Sequence, residues 1–164
     1  MRDSVDRVLE QWRAERPDLD PAPMGVVGRV QRASRRLNRA LSAHFADHGL
    51  QLWEFDVLAT LRRSGPLTPG GLVESSMVTS GAMTNRLDRL AARDLVTRET
   101  DPANRRSVVV RLTDRGRELV DGLLAGHIRN EERLLAPLSA REQTQLADLL
   151  RKLLTGLDDV PPGR

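Results

Sequence analysis

Apolar residues recur at helical spacing along most of the chain. Val5, Val8, Leu9 and Trp12 stand three and four apart and predict a short helix over residues 3–15, which Pro17, Pro21 and Pro23 then break. From Met24 onward Val26, Val30, Ala33, Leu37, Leu41 and Phe45 keep that interval, which describes a long helix with one apolar face. His48-Gly49 supplies a stop. Leu52, Phe55, Leu58, Ala59 and Leu61 mark the next helix, ending before Gly65-Pro66. Thr68 followed by Pro69 reads as an N-cap with proline in the first turn of a short helix through Leu72 and Val73. Gly70 and Gly71 each weaken that helix by about 1 kcal/mol against alanine, so packing must hold it.

In TSGAMTNRLDRLAARDL, capping residues precede a helix that places Met83, Leu87 and Leu90 on one face. Its other face carries Ser80, Thr84, Asn85 and Arg86, all able to hydrogen-bond, and Ala82, small enough for close approach of a backbone. The pattern then changes. Leu95 to Thr100 and Ser107 to Leu112 are β-branched segments on either side of the turn DPANRR, and predict a hairpin. Thr113 caps another helix after it. From Asp114 onward leucine dominates, in two helices that meet at Ala136-Pro137-Leu138-Ser139, where Ser139 and Glu142 stand in capping-box relation. Both chain ends carry more apolar surface than a thin lobe covers, and a dimer interface would bury the surplus. The expected organisation is residues 1–48 as N-terminal helices, 49–113 as a lobe, 114–157 as C-terminal helices and 158–164 as a disordered tail.

Composition narrows the function. The 164 residues suffice for one domain, or for a lobe on a helical stem. The net charge is +3, but Lys152 is the lone lysine, so almost every cation is an arginine that stays charged and favours an anionic partner. Arg29, Arg32, Arg35, Arg36 and Arg39 on the long helix are a solvated face or the lining of a ligand cleft. Absence of cysteine excludes disulfides and thiolate chemistry. The segment MRDSVDRVLEQW lacks the apolar run of a secretory signal, and no segment approaches a membrane span, so a cytoplasmic location is expected.

Short helix, turn, helix, hairpin is the order of a winged helix-turn-helix, in which the second helix enters a major groove and the hairpin tip an adjoining minor groove. Mainly α with a small β-hairpin wing is therefore the expected fold class. Thr84, Asn85 and Arg86 are the candidates for base contacts, Asn suiting adenine and Arg guanine, and Ser80 for a phosphate. Arg105 and Arg106 suit the electronegative trough of a narrow minor groove, with Asp101 pairing one of them to hold the loop. His44 and His48 stand four apart on one expected helix, but no third ligand accompanies them, so no metal is expected; His127 has similar standing. Catalytic triads, phosphate-cradling glycine motifs and paired carboxylates are absent, so no enzyme and no cofactor are expected. A basic helical adaptor that docks acidic proteins is the alternative to a DNA-binding regulator.

The stretch LTPGGLVESSMVTSGAMTNRLDRLAARDLVTRETDPANRRSVVVRLTDRGREL, with FDVLATLRRSG upstream, resembles the MarR family of dimeric transcription regulators. The resemblance implies a homodimer whose stem is built from N- and C-terminal helices, which binds a pseudo-palindromic double-stranded operator, usually as a repressor, and is released by a small, often phenolic or anionic, effector. It implies Arg106 as the minor-groove arginine and Asp101 as its local support; where the family usually has a second acid, this chain has Asn104. The front segment, WRAERPDLDPAPMGVVGRVQRASRRL, is similar to the PecS or urate-responsive branch, whose members carry an added N-terminal helix. By that likeness Trp12, Asp56, Arg89 and the wing's Arg106, with Arg63, would surround a urate-like anion. An indole stacks on a planar ring and a guanidinium pairs with an anion. From the residues alone, Trp12 equally serves as a core anchor, and Asp56 as a salt-bridge partner.

Overall fold

The computed structural model describes residues 2–75, 83–101 and 104–159, with backbone alone at 101 and 104–106; most of the expected tail, 160–164, lies outside the described residues. The described residues hold seven helices and one two-stranded antiparallel sheet, in two compact units, Met1–Ala43 and His44–Arg164.

In the first unit, α1 (Ser4–Glu15) starts on Asp3. Its carboxylate accepts from the backbone N–H groups of Val5 at 2.7 Å and Asp6 at 3.1 Å, while Asp6 accepts from the Asp3 N–H at 2.7 Å. Arg29 of α2 (Ala22–Ala46) adds charge-assisted bonds to Asp3 and Asp6 at 2.9 and 2.6 Å, which ties the start of α1 to α2. The two helices close on Val5 and Leu9, both buried, which face Gly28 and Gly25. A Cβ at position 25 would stand 3.1 Å from a Leu9 methyl. Pro23, which the sequence assigns to the break, lies inside α2: its missing N–H falls in the first turn, where no intrahelical partner exists. Much of the predicted apolar face of α2 stays open, with Val26 62% and Val30 39% exposed.

The second unit takes in the last turn of α2, then α3 (Leu52–Ser64), α4 (Pro69–Ser75), α5 (Met83–Ala92), strands β1 (Val96–Asp101) and β2 (Asn104–Leu112), α6 (Asp114–Leu135) and α7 (Ala140–Thr155). Its core is one cluster. Phe45 and Phe55 stack with ring centroids 4.2 Å apart, and Val57, Leu58, Leu72, Leu87, Leu90, Leu95, Val110 and Val120 surround them with almost no exposure. Gly49 and Gly65, with φ of 67° and 77°, follow the ends of α2 and α3. Capping follows the sequence: Thr68 Oγ1 accepts from Gly71 N–H at 3.0 Å, Thr113 Oγ1 from Gly116 N–H at 2.9 Å, and Ser139 pairs with Glu142. α7 buries no residue at all.

The hairpin departs from the expected pattern at its tip. Val96 to Thr100 pair in register with Leu112 to Val108, then the register shifts and Asp101 faces Asn104. Arg105 and Arg106 therefore belong to β2, not to the turn, because cross-strand backbone pairing rather than β-propensity decides where a strand begins. Residues 105–107 fall between two consecutive pairs on β2 with no opposing residue on β1, which is an irregular, bulged segment. Leu67, before α4, adds an antiparallel bridge to Val110 through bonds of 3.2 and 2.8 Å. α6 then presses on the wing. A Cβ at Gly116 would sit 2.0 Å from the Leu95 carbonyl oxygen, so only glycine admits this approach.

Candidate nucleic-acid interface

Met83, Leu87 and Leu90 recur at i, i+4 and i+7, and burying all three fixes which side of α5 faces outward. Thr84 and Asn85 lie on that outer side and are exposed, while Arg86 is half-buried. Ser80 and the segment 76–82 lie outside the described residues, as do the side chains of Asp101, Arg105 and Arg106.

Three side-chain anchors hold α5. At its start, Arg98 of β1 donates to the Thr84 carbonyl at 3.0 Å and pairs with Asp88 at 2.8 Å, which joins wing and helix. Just past its end, Arg93 pairs with Glu54 at 3.0 Å and donates to the Gly49 carbonyl at 3.1 Å. Glu54 is 2% exposed; its other oxygen accepts from the Gln51 N–H at 2.7 Å, so its buried charge meets both a cation and the N-terminus of α3. Along the middle, the guanidinium carbons of Arg86 and Arg89 each lie 5.3 Å from the centroid of the Trp53 ring. The sequence pattern singles out neither Trp53, nor Arg98, nor the Glu54–Arg93 pair. The acid three residues after Gln51 is a readable helix-start signal; the long-range partners have none.

The residues expected at an effector site are divided between the units. Trp12 belongs to the first, where it is 44% exposed and so is not a core anchor of that unit; Asp56, Arg63 and Arg89 belong to the second. Asp56, partly buried, and Arg63 stand seven residues apart on α3 and share a face. Arg63 donates to the Ser75 carbonyl at the end of α4, at 2.6 Å. Arg89 reaches the same helix, at Trp53, three residues before Asp56.

The two histidines expected on one helix are separated by its end: His44 lies in the last turn of α2, His48 in the turn beyond, because the helix stops at Ala46. Their rings are edge to face at 5.4 Å. They border a cleft of about 730 Å³ with Gly122, Gly126, Arg129, Glu132 and Arg133 of α6. Burial and the neighbouring His48, His127 and Arg133 hold the His44 imidazole below its usual pKa, against an opposing pull from Asp47. No group of three or more His, Asp or Glu among the described residues is placed to hold a metal ion. Nor is any described helix long and apolar enough to cross a membrane.

The chain is similar in sequence and fold to known proteins. The protein-family model described as MarR family matches residues 50–108. The chain is 40% identical over 152 residues to the HTH-type transcriptional regulator PecS of Dickeya dadantii, spanning 91% of this chain and 92% of that protein. It is 31% identical over 140 residues to the HTH-type transcriptional repressor NicR of Pseudomonas putida, spanning 83% and 89%. Among solved structures, BpsR of Bordetella bronchiseptica, whose DNA binding is regulated by 6-hydroxynicotinic acid, superposes with a TM-score of 0.73 at 29% identity over 78% of this chain and 91% of that one. A mutant MarR from E. coli complexed with operator DNA gives 0.74 at 28% identity, over 83% and 98%.

Proposed function

From the premise that this chain belongs to the MarR family of winged-helix, DNA-binding transcriptional regulators, we propose that it is a homodimeric repressor of an inverted-repeat operator, released by a small anionic effector. The observation that carries the reading is α5: its apolar side is locked into the core, its ends are pinned by Arg98 and Arg93, and Thr84 and Asn85 are left exposed. A rigid helix with short polar side chains on its outer face suits a major groove. Two copies present two such helices to half-sites about one helical turn apart, with the wing arginines Arg105 and Arg106 in flanking minor grooves, Asp101 beside them and Ser80 on a phosphate. The unpaired apolar faces of α2 and α7 supply the surface on which the copies join.

The effector is read as a planar anion, urate-like or phenolic. Arg63 and Arg89 offer guanidinium groups, Asp56 an acceptor for ring N–H donors and Trp12 a half-exposed indole for stacking. Binding dissociates DNA only by as much as the effector prefers the conformation that fits the operator poorly.

A mobility-shift titration with the DNA upstream of the protein's own gene tests the core of this. One short segment should be bound over competitor duplex, and Arg106→Ala should weaken all sequences alike and lower the salt slope by about 1. Equal affinity for random duplex, or none at low salt, would favour the adaptor reading. Urate should raise the melting temperature and release the operator, and both effects should fade in Trp12→Ala and Asp56→Ala; no shift with urate or related purines and phenols removes the effector assignment.

A further inference from the structure

We propose that Trp53 is a positioning residue of the DNA-reading surface, and that Arg86, which it holds, supports α5 instead of reading a base. The proposal deepens the DNA-binding reading and rests on it for its consequence, though not for its geometry.

Both guanidinium groups lie within the range of about 6 Å at which an indole face attracts a cation. They stand three residues apart on one turn of α5 and repel each other; an indole that attracts both offsets that repulsion. Trp53 is itself restrained. Its Nε1–H donates to Gln51 Oε1, and α3 is anchored directly after it by buried Glu54, Phe55, Val57 and Leu58. The platform thus belongs to the best-packed helix of the unit, and the arginines transmit its position to α5.

Arg86 carries the second observation. Its Nη1 is buried and has no hydrogen-bond acceptor among the described residues. A guanidinium that reads guanine needs its fork free to reach O6 and N7 together. Here one prong is turned inward, beside a ring whose electron-rich face is the group available to meet it. Base reading therefore falls to the exposed Thr84 and Asn85.

The test uses the full-length protein in two measurements. Without DNA, amide hydrogen exchange over residues 83–92 reads how firmly α5 is held. Trp53→Leu, which keeps apolar bulk but no aromatic face, should speed exchange by about 10-fold, while Trp53→Phe should stay within about 3-fold of wild type. Arg86→Gln with Arg89→Gln, which leaves the core untouched, should speed it likewise. Equal behaviour of the Phe and Leu variants, or unchanged exchange in Trp53→Leu and in the double Gln variant, overturns the clamp. With operator, Arg86→Gln should lower affinity by a common factor of about 10 for the wild-type site and for every single-base substitution in it. Relaxed preference at one base pair alone would make Arg86 a reader and overturn the assignment. If wild type binds no duplex while the exchange pattern holds, the clamp stands and the DNA-binding reading fails.

Discussion

The imidazole of His44 lies 5.2 Å from the Phe45 ring and 5.4 Å from that of His48, and its Nε2 is buried with no hydrogen-bond partner among the described residues. Arg133 adds positive charge from α6, and His127, close to Glu131, also disfavours a proton on His44, while Asp47 opposes them. The folded state therefore holds His44 below the usual imidazole value of 6.5, and the unfolded chain takes up the proton first as pH falls. The stability this group contributes is complete above 6.5, declines as pH falls through that value, and stops declining below the folded-state pKa. Between about pH 7.5 and about pH 5.5 the melting temperature of wild type should fall further than that of His44→Gln. Parallel curves would show that His44 does not titrate in this window. Capping gives a second residue-level expectation: Thr113→Ala, which removes the bonds to Gly116 N–H and to the Asp94 carbonyl, should destabilise by about 1–2 kcal/mol in urea unfolding. Caps such as Thr68, Thr113 and Ser139 are legible in sequence because donor and acceptor lie within three residues. Glu54 and Arg93, 39 residues apart, are not; nothing local tells a buried carboxylate which of many arginines will meet it.

Among the elements, the docking of α6 against the residue that leads into β1 has the tightest tolerance. Gly116 brings the first turn of α6 onto the Leu95 carbonyl, and backbone on both sides leaves no flexible group to move aside. Gly116→Ala should destabilise by about 3 kcal/mol, although alanine is the better helix former, and the loss should appear as a lower urea midpoint. A neutral or stabilising effect would mean that helix and wing are not in this contact. Helix identities are legible because the apolar period and the caps agree. The hairpin tip is less so: DPANRR reads as turn by composition, yet pairing carries the strands to Asp101 and Asn104. The Leu67 bridge is likewise hidden, since one paired residue leaves no alternation to detect.

Across the whole molecule, the apolar surplus at both chain ends that the sequence predicts is present as exposed surface. Leu146, Leu149, Leu153 and Leu154 of α7 are 41% to 59% exposed, as are Val27 at 56% and Met24 at 48% on α2. In the proposed homodimer a second copy covers such faces. Leu149→Glu with Leu153→Glu should shift sedimentation toward the monomer and weaken operator binding by about 100-fold or more, since one half-site alone is then engaged. An unchanged sedimentation coefficient would place the interface elsewhere. The boundary between the two units falls at Ala43/His44 inside α2, where the sequence offers no break because one periodic pattern runs across it.

The absent side chain at position 116 leaves the wing and α6 without a cushion between them. A helix of 22 residues is a rod about 33 Å long, and turning it by about 5° at the far end swings its tip by about 3 Å. Seated directly on Leu95, the residue that leads into β1, the rod would pass that swing to the hairpin instead of absorbing it. A tilt too small to disturb any packing at the leucine-rich end thus becomes, at the arginine-bearing end, a displacement comparable with half the width of a minor groove.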